Sequence, residues 1–284
     1  MDVSIIIVNY NTKTITDNCI ASILEKTSGI SFEIILIDNA SDDGSREFFQ
    51  NDDRITYIYN EKNLGFGPAN NIAVNVAGGR YILFLNSDTL LKNNAVYILC
   101  EYLDKHPDSC ACGGNLFLPD GKPALSFSRY FPSIYEEINM LFRNIPNRIL
   151  FGRNERFNNT GRTMSVSQIT AADLMVRRSA LQEAGGFNPN FFLYYEDTEL
   201  CYRLKKCGKL ISVPMAEITH LQSTSTKSYF DNVEFRRNLE ISRSICLPMI
   251  HSRVYVNIMN LVRRITIFTK RISPKRETRI TWRS

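Results

Sequence analysis

Three features are scarce or absent in this sequence of 284 residues, and each absence excludes a class of protein. No apolar run approaches the roughly 20 residues that a membrane-spanning helix needs, so no such helix is predicted. The seven cysteines include no CxxC pair, so we predict no cysteine zinc site and expect reduced thiols, as in a cytosolic protein. The N-terminal residues lack the basic segment of a signal peptide, so none is expected.

The composition is that of a folded globular protein, with 44% hydrophobic and 22% charged residues. A chain of this length can form one large α/β domain or two small ones. The net charge of +5 is unevenly distributed, because residues 227–284 hold 13 lysines and arginines against 4 acids. The basic character therefore belongs to the C-terminal segment, and we place a boundary between residues 226 and 227.

Short apolar segments alternate with amphipathic ones in the N-terminal third of the chain. Residues 14–26 carry apolar side chains at helical spacing, whereas the intervening segments are short and rich in β-branched residues. These strand-length segments are residues 3–8, 32–37, 55–59 and 81–85. Since strands and helices alternate, we predict βαβ units and an α/β fold with a mostly parallel central sheet flanked by helices.

Polar side chains follow three of these strands. In parallel sheets, ligands bind beyond the carboxyl ends of the strands, so these polar ends are expected to line one crevice. The residues concerned are Asn9, Asn11, Asp38, Asn39, Asn86 and Asp88.

Regular patterns weaken over residues 115–168, where aromatic residues, prolines and arginines mix without a firm period, and we predict a mobile region there. Strands at 169–176 and 210–213 follow, with helices at 178–184 and 196–206. The last strand is expected to end before Pro214, which places His220 in a loop.

Three acids, Glu196, Asp197 and Glu199, lie at the start of the helix predicted over 196–206. The positive end of the helix dipole favours the ionised carboxylate, which is the form that a general base needs. The alternative is that Asp197 and Glu199 only stabilise the helix end, as N-cap and first-turn acids.

Seven segments in this order resemble the family 2 glycosyltransferases, particularly the rhamnosyltransferase-like branch of bacterial polysaccharide gene clusters. The segments are SIIIVNYN, DNASDDGS, NLGFGPANN, LNSDT, VRRSALQEAGGF, FFLYYEDTELCYRLKKCG and ITH. The resemblance covers about residues 3–226 and implies the GT-A fold. Residues 1–226 would form the glycosyltransferase domain, and residues 227–284 a basic helical extension.

The resemblance implies that Asp38 hydrogen-bonds the base or ribose of a nucleotide. The alternative for Asp38 and Asn39 is a simple Asx-turn. Many family members have arginine where Asn70 stands, and the glycine-rich segment before it either contacts phosphate or only begins a helix. The full set of nucleotide-binding candidates is Asn9, Asn11, Asp38, Asn39, Asn63, Asn70 and Asn86.

The metal motif of the family is Asp-x-Asp, and here it is Asn86-Ser87-Asp88. Asp88 is therefore the principal expected ligand for a divalent cation, Mg²⁺ or Mn²⁺, that bridges the two phosphates of the donor. His220 matches a position where GT-A enzymes often have a second ligand, although a lone histidine can equally be structural. The amide of Asn86 lowers the negative charge expected at the site. A plain turn after the strand is the alternative for Asp88.

The resemblance also assigns a catalytic role to the acidic pair. Asp197 is expected to remove the proton of the acceptor hydroxyl while the sugar carbon inverts, with Glu196 orienting it or binding the acceptor. Glu199 is expected to serve only the helix.

The C-terminal segment carries apolar and basic residues at loosely helical spacing. It could contact an anionic membrane surface through residues 236–283, or form a helix pair or a dimer contact. No nucleic-acid recognition motif accompanies its basic residues, so nucleic-acid binding is not expected. The oligomeric state is left open.

These features favour an inverting glycosyltransferase that moves a sugar, with rhamnose as a candidate, from a nucleoside-diphosphate sugar to a glycan or polyprenyl-linked acceptor in bacterial surface polysaccharide synthesis. It would work in the cytoplasm or at the inner face of the cell membrane. A catalytically lapsed nucleotide-sugar-binding protein on the same fold is the alternative. A nucleotidyltransferase is disfavoured because the segment after the first strand has no glycine.

Overall fold

A computed structural model of the chain describes residues 1–152, 154–221 and 233–272. Eleven strands lie in these ranges: β1 (Val3–Asn9), β2 (Phe32–Asp38), β3 (Thr56–Tyr59), β4 (Tyr81–Asn86), β5 (Thr89–Leu91), β6 (Ser109–Phe117), β7 (Phe127–Ser128), β8 (Met164–Val166), β9 (Gln168–Ile169), β10 (Asp173–Arg177) and β11 (Lys209–His220). The described helices are α1 (Lys13–Lys26), α2 (Ser45–Phe49), α3 (Phe66–Val76), α4 (Ala95–Lys105), α5 (Ile134–Leu141), α6 (Ile145–Phe151), α7 (Arg178–Ala184), α8 (Glu196–Leu204), α9 (Val233–Ile250) and α10 (Arg253–Ile272).

The main sheet has the order β3-β2-β1-β4-β10-β6-β11-β5, with β8 paired to β11. Its first four strands are parallel to one another. The short strand β10 lies antiparallel between β4 and β6, whereas β6 and β11 are again parallel. The carboxyl ends of β1, β2 and β4 therefore share one edge, as the sequence predicted.

Both faces of the sheet are covered by helices, because alternate residues of each buried strand point to opposite sides. On β1, Ile5 and Ile7 pack in one core with residues of α1 and α4. Ile6 packs on the other face in a second core with residues of α3, α7 and α8. The two cores position the polar ends of the strands at the crevice.

The C-terminal helices pack on the body of the protein. Helix α9 contacts α8, and α10 contacts α5. Arg243 of α9 donates to Glu137 of α5 at 2.7 Å and to Asn260 of α10 at 2.7 Å, which ties the three helices together. Within the ranges that the structure describes, no helix has the length and apolar character needed to cross a bilayer.

Two expectations from the sequence differ from the structure. Strand β11 does not end before Pro214 but continues to His220, and an irregularity in its pairing between Ser212 and Glu217 accommodates the proline. His220 therefore ends a strand and pairs with Thr89 of β5, instead of lying in a loop.

The segment 115–168 is also more regular than expected. Strand β6 extends into it, and helices α5 and α6 follow where the sequence showed no firm period. The proposed boundary at residues 226 and 227, and residues 273–283 of the predicted membrane-contacting segment, lie outside the described residues.

Candidate active site

The turn after β4 and the end of β11 bring Asp88 and His220 together. The Oδ1 atom of Asp88 lies 3.1 Å from Nε2 of His220, and Nδ2 of Asn86 lies 3.4 Å from the same nitrogen. The pairing of His220 with Thr89 across β11 and β5 fixes this approach. The side chains of Asp88 and His220 keep 12% and 18% exposure, so neither is fully closed off from solvent.

A carboxylate oxygen and an imidazole nitrogen at this separation suit a divalent cation that takes its other ligands from a diphosphate and water. In the described ranges, no group of three or more histidine, cysteine, aspartate or glutamate side chains is placed to hold a metal. A cation bound here would therefore depend on oxygens of the donor to a greater extent than a cation that is held by two protein carboxylates. Asp88 and His220 are the residues that would hold it.

Asp38 is fully buried at the end of β2, and both of its carboxylate oxygens already accept hydrogen bonds. The backbone N–H of Ser41 donates to Oδ1 at 2.9 Å, and the hydroxyl of Tyr57 donates to Oδ2 at 2.8 Å. Asp38 therefore bonds the backbone of its own loop three residues on, one residue further than in the Asx-turn that the sequence left open. A nucleotide would have to use the remaining lone pairs of the carboxylate.

Asn9 organises the loop after β1. Its Oδ1 accepts from the hydroxyls of Thr12 at 2.8 Å and Thr16 at 2.9 Å, and its Nδ2 donates to Ser41 Oγ at 3.0 Å. Thr12 Oγ1 also lies 3.3 Å from Ser87 Oγ. This network joins the loop after β1 to the turn that carries Asp88.

Asn11 is an exposed residue in the left-handed region, with a φ of 55°. Its Oδ1 accepts from the backbone N–H of Asp42 at 2.8 Å, so it braces the loop after β2. This role needs no nucleotide.

Asn39 and Asn63 contact each other across the crevice wall. Nδ2 of Asn39 donates to Oδ1 of Asn63 at 2.8 Å, and Oδ1 of Asn39 accepts from Leu64 N at 3.0 Å and Asn60 Nδ2 at 3.1 Å. Asn70, by contrast, is buried in α3 and donates to Phe66 O at 2.9 Å. Asn39 and Asn63 thus shape the glycine-rich segment, while Asn70 is directed into its own helix.

Gly65 precedes α3 with a φ of +86° and meets another loop of the protein. A Cβ at this position would lie 2.4 Å from the carbonyl oxygen of Phe192, which accepts a hydrogen bond from Phe66 N at 3.0 Å. Asn71 of α3 also bonds the backbone of Phe187, accepting from its N–H at 2.9 Å and donating to its carbonyl at 2.7 Å. The glycine-rich segment is thus attached to the loop that leads to the acidic pair.

The acidic pair lies at the first turn of α8, directly after two tyrosines in the left-handed region. Tyr194 and Tyr195 have φ values of 69° and 65°, a conformation that costs free energy for residues other than glycine. Two hydrogen bonds hold the main chain just before these tyrosines. Phe66 N donates to Phe192 O, and the Ser242 hydroxyl donates to Leu193 O at 2.8 Å. This sharp bend determines the position of the backbone from which the two carboxylate side chains extend.

Glu196 and Asp197 have different surroundings. Burial first, and the adjacent charge of Asp197 second, raise the pKa of Glu196 to about 8, and its Oε2 has no hydrogen-bond partner among the residues that the structure describes. Burial also raises the pKa of Asp197, but donors that include the backbone N–H groups of Thr198 and Ala171 oppose the rise. The Thr198 N–H lies 2.6 Å from Asp197 Oδ1. The pKa values of both carboxyls are thus raised by burial, and the donors around Asp197 favour its ionised form over that of Glu196.

Glu199 is buried in the same helix and forms a two-point ion pair with Arg203, at 2.7 and 2.6 Å. The arginine also donates to the carbonyl of Ala184 at the end of α7. Glu199 therefore joins α8 to α7, as expected of a residue that serves the helix.

A two-residue bridge connects the acidic pair to the turn after β4. The backbone N–H of Ala171 interacts with the Asp197 carboxylate, and the carbonyl of Ala172 accepts from Asn86 N at 3.2 Å. The next residue, Asp173, is the first residue of β10 and is fully buried. Its carboxylate accepts a hydrogen bond from Gly114 N at 2.6 Å. Asp197 and the Asn86–Asp88 turn are thereby held at opposite ends of one short segment.

Several of these supporting residues escaped the sequence analysis. Tyr57 engages Asp38, and Ala171 reaches Asp197, without belonging to any segment that signals chemistry, whereas Ser41 lies in the segment DNASDDGS but was not among the predicted site residues. The buried Asp173 could have been suspected, because it is a lone acid at the start of an otherwise apolar segment. Ser242 contacts Leu193 from a helix distant in sequence, for which no local pattern exists.

Sequence comparison finds related proteins that are named as glycosyltransferases. The chain is 34% identical over 132 residues to the putative teichuronic acid biosynthesis glycosyltransferase TuaG of Bacillus subtilis, covering 44% of this chain and 51% of that protein. It is 28% identical over 211 residues to the N-acetylglucosaminyl-diphospho-decaprenol L-rhamnosyltransferase of Mycobacterium tuberculosis, covering 68% of this chain and 67% of that one. The alignments thus span about half and two thirds of these relatives.

Structural comparison gives the fold. S. aureus TarS 1-349 in complex with UDP-GlcNAc superposes with a TM-score of 0.59 at 14% identity, covering 95% of this chain and 72% of that one. GalNAc-T7 with UDP, GalNAc and Mn²⁺ superposes with a TM-score of 0.58 at 16% identity, covering 80% and 45% of the two chains. The predicted GT-A fold is confirmed by these neighbours.

The family assignment from the sequence is confirmed as well. The family model described as glycosyl transferase family 2 matches residues 4–170, which is more than half of the chain and includes the predicted site residues other than Glu196, Asp197 and His220. The chain belongs to glycosyltransferase family 2.

Proposed function

We propose that this protein transfers a sugar from a nucleoside diphosphate to a hydroxyl of a glycan or lipid-linked acceptor, with inversion at the sugar carbon. Relatives named as rhamnosyltransferases and as a teichuronic acid glycosyltransferase support transfer in glycan synthesis. Rhamnose as the sugar and a polyprenyl-linked acceptor at the cytoplasmic membrane face are the finer parts of the proposal. The sugar and the polyprenyl-linked acceptor are suggested by the name of the mycobacterial relative, and the membrane face would be where such an acceptor lies.

The observation that carries the proposal is the bridge formed by Ala171 and Ala172. It holds the carboxylate of Asp197 and the turn of Asp88 at opposite ends of two residues. A glycosyl transfer needs a base on the acceptor side and charge neutralisation on the leaving diphosphate, both within reach of one sugar. The bridge supports the proposal because one short segment of backbone contacts both the proposed base and the turn of the proposed metal ligand.

Each residue then has a defined task. Asp197 accepts the proton of the acceptor hydroxyl as its oxygen bonds to the sugar carbon and the bond to the diphosphate breaks. Protonated Glu196 leaves Asp197 as the charged member of the pair and offers a hydrogen-bond donor beside it. A divalent cation held by Asp88 and His220 would neutralise the charge that develops on the diphosphate. The loops of Asn9, Asp38 and Asn39 form the nucleotide side.

The proposal is tested with purified protein and membranes that contain polyprenyl-linked glycans. Nucleotide release is measured with UDP, GDP and dTDP sugars, and donor binding is measured by calorimetry with and without Mn²⁺. We expect Asp197→Asn to lower kcat by at least about 100-fold, because the general base is lost, while donor affinity is kept. Asp88→Asn should instead weaken donor binding in the presence of Mn²⁺.

Glu183→Gln is the matched control, since Glu183 is an exposed acid on α7 outside the crevice. It should transfer sugar like the wild type. Full activity of a folded Asp197→Asn protein would overturn the role of this residue. Donor binding without nucleotide release for any donor would favour the lapsed binding protein instead.

A further inference from the structure

An unusual stripe of apolar side chains runs along the outer face of α10. Its five members recur at spacings of four and three residues, which places them on one side of a helix. All are exposed in the described structure, with Val254, Leu261 and Phe268 at 70%, 58% and 63%. The stripe consists of Val254, Ile258, Leu261, Ile265 and Phe268.

The inner face of the same helix is partly polar. Asn260 accepts a hydrogen bond from Arg243, Arg263 pairs with Glu240 of α9, and Thr266 is buried. Tyr255 Oη also accepts from the backbone N–H of Ile134 at the start of α5. The helix is therefore held to the protein in part by polar contacts, while its most regular apolar stripe faces away from the core.

The charge beside the stripe has one sign. Helix α10 contains five lysines and arginines and no acid, and Arg253 and Arg264 are exposed on it. The short helix α6, which also packs near α5, exposes Ile149 at 77% and contains one arginine and no acid. Apolar side chains with basic neighbours are typical of helices that lie in the interface of an anionic bilayer.

We propose that the stripe on α10 is a membrane-binding face that inserts into the headgroup region of an anionic lipid bilayer. A second copy of the chain is the less suitable occupant, because pairing would bring together two helices that each contain five basic residues and no acid. The purpose of membrane binding, access to a lipid-linked acceptor, rests on the proposed function. Vesicle binding itself is measured without any sugar transfer.

The location of α10 also suits this purpose. Helix α10 is tied through Arg243 to α9, and α9 contacts Leu193 just before the left-handed tyrosines and the acidic pair. A bilayer bound by α10 would therefore be connected to the acceptor side of the crevice through a single intervening helix.

The test is sedimentation of the full chain with vesicles of phosphatidylcholine, alone or mixed with phosphatidylglycerol. We expect binding to the mixed vesicles, and at least about tenfold weaker binding for the triple variant Val254→Ser/Leu261→Ser/Phe268→Ser, because the inserted apolar area is lost. The control variant Val76→Ser/Met215→Ser changes two exposed apolar residues on α3 and β11, and should bind like the wild type.

The basic residues are tested separately. Arg253→Gln/Arg264→Gln should weaken binding to the mixed vesicles roughly 30-fold, because each of the two charges contributes about 1 kcal/mol near the surface, and should leave binding to phosphatidylcholine alone unchanged. Added salt should act in the same direction.

Three results would overturn the proposal. They are wild-type protein that stays in the supernatant with mixed vesicles, a triple variant that binds as well as the wild type, and a wild-type dimer in ultracentrifugation that the triple variant converts to a monomer. Thermal melting shows whether the variants fold. Nucleotide release with a water-soluble acceptor reports on the proposed function separately, since the triple variant should keep it.

Discussion

Arg243 and Glu137 form a buried ion pair between α9 and α5, and their side chains are only 7% and 4% exposed. The pair is the main polar attachment of the C-terminal helices, since Arg243 also bonds Asn260 of α10. If one partner is removed, the other charge stays buried without compensation. We therefore expect Arg243→Met and Glu137→Leu each to destabilise the protein strongly.

The expected size follows from the burial of both groups. Removing one member of a buried pair costs about 3–5 kcal/mol, whereas replacing both with apolar residues is often close to neutral. The double variant Glu137→Leu/Arg243→Met should therefore be clearly more stable than the sum of the two single effects predicts. An exposed pair, Lys105 with Glu101, provides the control, because Lys105→Met should change stability by less than about 0.5 kcal/mol.

Urea unfolding followed by circular dichroism measures all four variants, with thermal melting as a second probe. A coupling free energy of about 2 kcal/mol or more between positions 137 and 243 is expected. Two single variants that each unfold within about 1 kcal/mol of the wild type would refute the reasoning, and so would strictly additive effects in the double variant.

Two further predictions concern the crevice. The unfolding free energy of the wild type, relative to that of Glu196→Gln, should fall as pH rises from about 5 to about 8. The folded protein keeps a proton that an ordinary glutamate of pKa 4.5 has released, so the fall is at most about 1.4 kcal/mol per pH unit. Urea unfolding at several pH values measures it, and parallel stability curves for the two proteins would contradict this. Gly65→Ala should lower stability by about 1–3 kcal/mol, because its Cβ would meet Phe192 O at 2.4 Å. Gly121→Ala, where φ is also positive but the space is open, should cost less, and equal losses would argue against the steric part of the explanation.

The strands that depend on local pattern were predictable from the sequence. The predicted residues 3–8, 32–37 and 81–85 fall within β1, β2 and β4, because each is a buried apolar run closed by polar residues. The convergence of their polar ends also followed, since parallel strands end at one edge.

Other parts depend on contacts that no local pattern shows. Strand β10 lies antiparallel between β4 and β6, and the same apolar run would suit either direction. The approach of His220 to Asp88 results from the continuation of β11 past Pro214, where the sequence favoured an end. Residue identity pointed to Asp38 and Asp197, but the donors that set their environment, such as Tyr57 and Ala171, come from distant segments.

The close approach of Gly65 to Phe192 has a consequence for how this family can vary in evolution. The backbone at position 192 occupies the space that any side chain at position 65 would need. The Asn71 side chain in turn forms two hydrogen bonds with the backbone of Phe187. The glycine-rich segment and the loop before the acidic pair are thus expected to change together. A homologue that loses glycine at position 65 should carry a rerouted loop over 187–192, and chimeras that exchange one segment without the other should fail to fold.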